Sequence, residues 1–273
     1  MPPTFFILEK KYVMRHFLIA IIVASVFSTA EARIVVTNGL SHVHDLNVRA
    51  ADRGSIKMKN LGSKAERVKI YLSDLGMDCV DGTKFLSPAS TSRSSAEWLT
   101  LSSIEETLEP NESIEVQYQI NKPEGLESEG SFWSFIMVEN VPELDTNIVE
   151  GSVKVNTNFR YAIQIIAELG GGNGDMEFDS VYYNSEDGGV VLHMLNPSSH
   201  ILWVQFELEL FGSGEKSIQH IDESPTKIYP GLCRKVILPI DPATASGSYE
   251  GVIIAKSRNF GRFGYRLKIE IDE

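Results

Sequence analysis

Residues 153–169 alternate with a period of two over seventeen positions. Val153, Val155, Thr157, Phe159, Tyr161, Ile163, Ile165, Ala167 and Leu169 fall on one side, while Lys154, Asn156, Asn158, Arg160, Gln164 and Glu168 fall on the other. Successive side chains of a strand point to opposite faces, so the stretch asks for a β-strand with one face toward a core and one toward water. Strands commonly end after about five or six residues, yet this one runs until Gly170-Gly171-Gly172-Asn173-Gly174 stops it. It reads as the last strand of a domain, long enough to pack more than its own domain. The part expected to reach outward is its beginning, residues 153–157; from Phe159 onward the unbroken apolar face is expected to complete the domain's core.

The start of the chain reads as an export signal. Lys10, Lys11 and Arg15 precede an apolar run over residues 17–30, and Ala30-Glu31-Ala32 supplies the small-x-small pattern of a cleavage site. The run is short for a membrane span, which takes roughly 20 residues, and no later stretch is apolar for longer. Residues 1–32 are therefore expected to be removed, with no membrane span afterwards and an exported, periplasmic or extracellular location. The removed piece carries three cations against two anions, so the net charge goes from −12 to −13. An acidic exported chain repels phosphate, and nucleic acid is not expected as a partner. Two cysteines, Cys79 and Cys233, stand far apart. Export permits a disulfide between them, but spacing leaves open equally a pair of separate core or loop thiols.

Short alternating runs follow one another at residues 33–36, 54–60, 67–72, 113–120, 204–208 and 234–240, with no long segment at helical spacing. Residues 132–138 form a dense apolar and aromatic run that suits a strand buried on both faces. Residues 79–95, polar and broken by Gly82 and Pro88, read as an irregular excursion. Landmarks recur in order: Met58-Lys59-Asn60 with Met194-Leu195-Asn196, and Leu108-Glu109-Pro110 with Ile228-Tyr229-Pro230. Either one β-sandwich occurs twice, or two antiparallel sandwiches share turns by chance. The expected fold class is all-β, two immunoglobulin-like sandwiches in tandem, covering residues 33–169 and 176–273 with a Gly-rich linker at 170–175.

Chemistry-bearing patterns are sparse. The glycine run is followed by Asp175-Met176-Glu177-Phe178-Asp179, acidic and without helical period, so it reads as a flexible joint and not a phosphate loop. His42-Val43-His44 would place two imidazoles on one strand face, but no further ligand is fixed by pattern, and an exposed loop pair is the favoured reading. No Gly-x-Ser-x-Gly occurs, and Cys79 lies between Asp78 and Asp81, which oppose a thiolate. The expectation is a protein that is not an enzyme, with no catalytic residues, no metal site and no cofactor.

Together the signal, the paired sandwiches, the Leu108-Glu109-Pro110 turn before an alternating strand, the Phe132-Trp133-Ser134-Phe135 strand and the long last strand of domain one resemble the periplasmic pilus-assembly chaperones. That resemblance implies a protein partner, a pilin-like subunit lacking a strand, completed by strand addition along the last strand of domain one. It puts Val153, Val155 and Thr157 on the donating edge and Arg160 at the subunit's terminal carboxylate. A third donor position falls near Gly151, which has no side chain to lend. The other reading is a structural or adhesive cell-envelope protein, partnered by a cell-surface protein, in which Val153 and Val155 pair in their own sheet.

Overall fold

The computed structural model describes residues 34–141, 158–212, 217–221 and 225–271. Strands β1 (Ile34–Val36), β2 (Ser41–Asp45), β3 (Ala51–Asn60), β4 (Glu66–Asp78), β5 (Gly82–Leu86), β6 (Leu99–Leu101), β7 (Glu105–Leu108), β8 (Ser113–Asn121), β9 (Gly130–Asn140) and β10 (Arg160–Leu169) make a first sandwich. Strands β11 (Glu177–Asn184), β12 (Gly189–Leu195), β13 (Leu202–Phe211), β14 (Ser217–Ile221), β15 (Thr226–Ile228), β16 (Cys233–Pro239), β17 (Gly247–Ser257) and β18 (Gly261–Ile271) make a second. The fold is all-β, with two immunoglobulin-like sandwiches and, among the described residues, one short 3-10 turn at Ala96–Trp98.

In the first sandwich a sheet ordered β1-β3-β8-β6 faces one ordered β2-β10-β9-β4-β5, with β7 also paired to β4. Alternation fills the space between them: Ile163, Ile165, Ala167 and Leu169 of β10 meet Ile56, Met58 and Ile120 of the opposite sheet in one buried cluster. The second sandwich repeats the scheme with β11-β12-β16 against β14-β13-β17-β18, around Val190, Leu192, Val204, Phe206, Ile253 and Ile269.

The recurring landmarks fold into the same turn twice. Asn60 Nδ2 donates to the Lys64 carbonyl at 2.7 Å and the Leu108 carbonyl at 2.9 Å, while its Oδ1 accepts from Gly62 N–H at 2.8 Å. Asn196 Nδ2 donates to the His200 carbonyl at 2.8 Å and the Ile228 carbonyl at 2.8 Å, and its Oδ1 accepts from Ser198 N–H at 2.9 Å. The likeness continues past the prolines, where Asn111 N–H reaches the Asn60 carbonyl and Gly231 N–H the Asn196 carbonyl, both at 2.9 Å. Asn111 and Gly231 even share the left-handed conformation, with φ of 65° and 69°. In each sandwich one buried asparagine ties the strand that ends at it to a proline turn thirty to fifty residues later, the arrangement its amide can satisfy with both donors and its oxygen.

A third cluster joins the sandwiches. On β9 the side chains alternate between two buried environments: Phe132, Ile136 and Val138 enter the first core, while Trp133, Phe135 and Met137 turn outward onto Ile201 and Tyr229 of the second sandwich. Trp133 and Tyr229 have ring centroids 5.0 Å apart. The dense run over residues 132–138 is buried on both faces, as its composition requires.

One expectation changes and one open alternative is settled. Residues 79–95 are not wholly irregular, because β5 folds back on β4 as a hairpin with Asp74 facing Leu86. The cysteines form a Cys79–Cys233 disulfide, with Cα atoms 5.2 Å apart, from the end of that hairpin's first strand to the start of β16. At the end of the glycine run a Cβ on Gly174 would collide with the Phe260 ring, while Gly171, Gly172 and Asn173 are exposed.

Candidate functional site

Strand β10 is the element on which the outward-facing features converge. Its whole length pairs with β9, from Arg160 opposite Glu139 to Leu169 opposite Gly130. On the other side β2 runs parallel to it, but only from Gln164 opposite Ser41 to Glu168 opposite Asp45. Among the described residues no strand lies against that side of residues 160–163.

Arg160 stands at the start of β10 and is already engaged. Its Nη2 lies 3.1 Å from Glu139 Oε1 and its Nε donates to Oε2 at 3.3 Å. Glu139 also accepts from the Tyr71 hydroxyl at 2.8 Å and pairs with Lys69 Nζ at 3.3 Å. The Arg160 guanidinium, then the Tyr71 and Lys69 donors, hold the Glu139 carboxyl down to about 2. A carboxylate depressed in the folded state contributes stability above about pH 4.5, lost as pH falls toward 2. Arg160→Ala is expected to raise the Glu139 midpoint, read by carboxyl carbon NMR, with little change in melting temperature because Arg160 is half exposed and Tyr71 and Lys69 stay on the carboxylate. A midpoint still at about 2 would mean that Arg160 does not set it.

Val153, Val155 and Thr157 lie outside the described residues. Within the described residues the strand reaches beyond its own domain in its second half, on the face expected to meet water. Gln164 is only 2 % exposed. Its Nε2 donates to the Tyr229 hydroxyl at 2.8 Å and its Oε1 accepts from Lys227 Nζ. Lys227 also donates to Ser41 Oγ at 2.9 Å and sits 4.3 Å above the Trp203 ring. Burial pulls this ammonium down to about 8. Glu168 accepts from the Ser131 hydroxyl at 2.7 Å and contacts His200 Nδ1 at 3.1 Å. The Ser131 oxygen in turn accepts from Ile201 N–H at 2.8 Å. Polar residues on the even positions of β10 are thus the seam between the sandwiches, with partners supplied by the second half of the chain.

The histidine pair is not an exposed loop. His42 and His44 point inward from β2, His44 only 5 % exposed, and both ring systems contact the Tyr118 hydroxyl, at 2.8 and 2.9 Å. A Cβ at Gly54 would collide with that hydroxyl, so the glycine opposite makes room for it. Among the described residues no three His, Cys, Asp or Glu side chains are grouped to hold a metal ion. None of their helices is long and apolar enough to cross a membrane.

The class these features define is a tandem immunoglobulin-like protein, its two sandwiches joined by an aromatic seam and a disulfide, with a long edge-side strand, β10, that β9 pairs in full and β2 in part. No family model matches the sequence, and no curated protein matches it. Among solved structures it is similar to a chain of a chaperone–tip adhesin complex of CFA/I fimbriae biogenesis, at 11 % identity and a TM-score of 0.48, covering 87 % of this chain and 99 % of that one. It is similar to a chain of the CsuC–CsuE chaperone–tip adhesion subunit pre-assembly complex of Csu pili from Acinetobacter baumannii, at 15 % identity and a TM-score of 0.46, covering 87 % and 98 %. It is also similar to a chain of the complex of the SafA pilin with the SafB chaperone from Salmonella enterica, at 10 % identity and a TM-score of 0.46, covering 89 % and 99 %.

Proposed function

We propose that this chain is an exported, non-enzymatic chaperone-like protein that binds a pilin-like client by β-strand addition at the start of β10. The observation that supports this most is the asymmetry of that strand: β9 pairs with all of it, β2 only from Gln164 onward. The alternation seen at residues 160–169 extends in sequence back to Val153. Val153, Val155 and Thr157 would lend side chains to the client's sheet while their backbone supplies its missing strand. Arg160 would meet the client's terminal carboxylate, which must join or displace Glu139 on the guanidinium.

The test is co-purification from periplasm. Val153→Asp with Val155→Asp is expected to leave the protein folded, as judged by circular dichroism, and to strip it of bound subunit, because two carboxylates on the lending face would be buried without partners. A folded double variant that retains every partner would sink the strand-addition reading in favour of a spacer or adhesive role for the two sandwiches.

A further inference from the structure

Most strands of the larger sheet in the first sandwich dock on the core with apolar side chains, but β2 docks with two histidines. A single chain of contacts holds them. His42 Nε2 lies 3.3 Å from the Asn38 carbonyl oxygen and His42 Nδ1 2.8 Å from Tyr118 Oη. The same oxygen is 2.9 Å from His44 Nε2, and His44 Nδ1 is 2.8 Å from Asp52 Oδ2. Asn38 is itself anchored to β3, its Nδ2 donating to the Ser55 carbonyl at 2.7 Å and its Oδ1 accepting from Lys57 N–H at 3.0 Å.

The hydrogens on this chain can be counted. A carbonyl and a carboxylate only accept, so all four contacts can be hydrogen bonds only if the ring nitrogens at both ends carry N–H. In neutral imidazoles the two inner nitrogens are then bare, and both face one phenol oxygen that has one hydrogen to give. Three of the four contacts can be hydrogen bonds, and the fourth is a clash of lone pairs. One added proton resolves it. With both nitrogens of His44 protonated, Nδ1 donates to Asp52, Nε2 donates to Tyr118 Oη, the phenol donates to His42 Nδ1, and His42 Nε2 donates to Asn38. His42 stays neutral in this arrangement, in keeping with a proton affinity lowered first by burial and also by the neighbouring His44. Among the described residues the charged groups around the chain are Asp52 on β3 and Arg49 beside it, while β10 presents Ile163, Ile165 and Ala167 on that face.

We infer that β2 is latched over β10 by a hydrogen-bond chain that holds one proton more than two neutral histidines, so that its docking is tightest in mild acid and loosens as pH rises. The strand so latched covers β10 from Gln164 to Glu168, and its ends are tied by Gln164 N–H to the Leu40 carbonyl at 2.9 Å and Leu46 N–H to the Glu168 carbonyl at 3.0 Å. Loosening it would bare the β10 backbone that β2 covers, from Gln164 to Glu168. The latch stands whether or not that strand receives a client.

Amide hydrogen exchange in the whole protein tests it. Protection of the β2 amides, corrected for intrinsic exchange, is expected to fall about fivefold to tenfold between roughly pH 5.5 and roughly pH 8.5, the worth of one net hydrogen bond. In Tyr118→Phe, which removes the shared oxygen, protection is expected to be lower throughout and flat across the same range. Equal protection at both pH values in the wild type, or an undiminished fall in Tyr118→Phe, overturns the inference. Should the variant not fold, nitrogen NMR of the wild-type imidazoles decides it. One doubly protonated ring beside one Nε2–H ring in mild acid supports the latch, and two neutral rings there overturn it.

Discussion

Asp74→Ala is expected to lower the free energy of unfolding by about 3 to 5 kcal/mol, because it strands several buried donors at once. Asp74 is fully buried on β4. Its carboxylate accepts from Ser94 Oγ at 2.7 Å, Ser134 Oγ at 2.8 Å, Ser90 N–H at 2.9 Å and Thr91 N–H at 3.3 Å. One side chain thereby fixes the segment after β5 to both β4 and β9, at the end of the first core. Alanine would leave two hydroxyls and two amides facing an empty space too dry to satisfy them. Asp74→Asn keeps one acceptor and turns an amide toward donors, so it should recover little of the loss. Urea denaturation checks this through the midpoint at unchanged slope. A cost of less than about 1 kcal/mol would mean that water or a local shift replaces the carboxylate.

The second large effect is expected from the cross-link. Cys79 and Cys233 are 154 residues apart, and closing so long a loop in the unfolded chain is worth about 5 kcal/mol in the chain-entropy treatment. Cys79→Ser with Cys233→Ser should therefore lower the melting temperature by roughly 10 to 20 °C. The double variant and the wild type under reducing agent should melt alike. Both sandwiches should still fold, since their cores are separate and the Trp133–Tyr229 seam does not include the sulfurs. A shift of under about 2 °C would show that the folded state gives back in strain what the unfolded state loses.

Much of the scaffold was legible in the residues because strands buried on one face must alternate. The runs at 113–120 and 234–240 became β8 and β16, and the two asparagine landmarks marked matching turns. Legibility failed where polar side chains were buried by partners remote in sequence. Gln164 and Glu168 look like a solvated face until Tyr229, Lys227 and His200 arrive from the second half. The strand β2 was hidden for the same reason, since its inward residues are histidines satisfied by Tyr118 and Asp52 and not aliphatic ones. Ser-His-Val-His-Asp does alternate, and Gly54 across the core was the second cue, a place left empty for a hydroxyl. Burial of β9 on both faces could be read from its composition, but what covered the second face could not. The disulfide rested on a distance that spacing does not encode.

The seam has a consequence for any shortened form of this protein. A product ending at the glycine run would keep its own core but lay bare Trp133, Phe135, Met137 and Ile166, side chains that belong to neither half alone. Such a fragment would carry a fresh apolar face and an unpaired Cys79, the surface and the thiol that invite self-association and quality-control proteolysis. Loss of the second half, by an early stop codon or a clip at 170–175, should therefore show as disappearance of the first half from the cell as well.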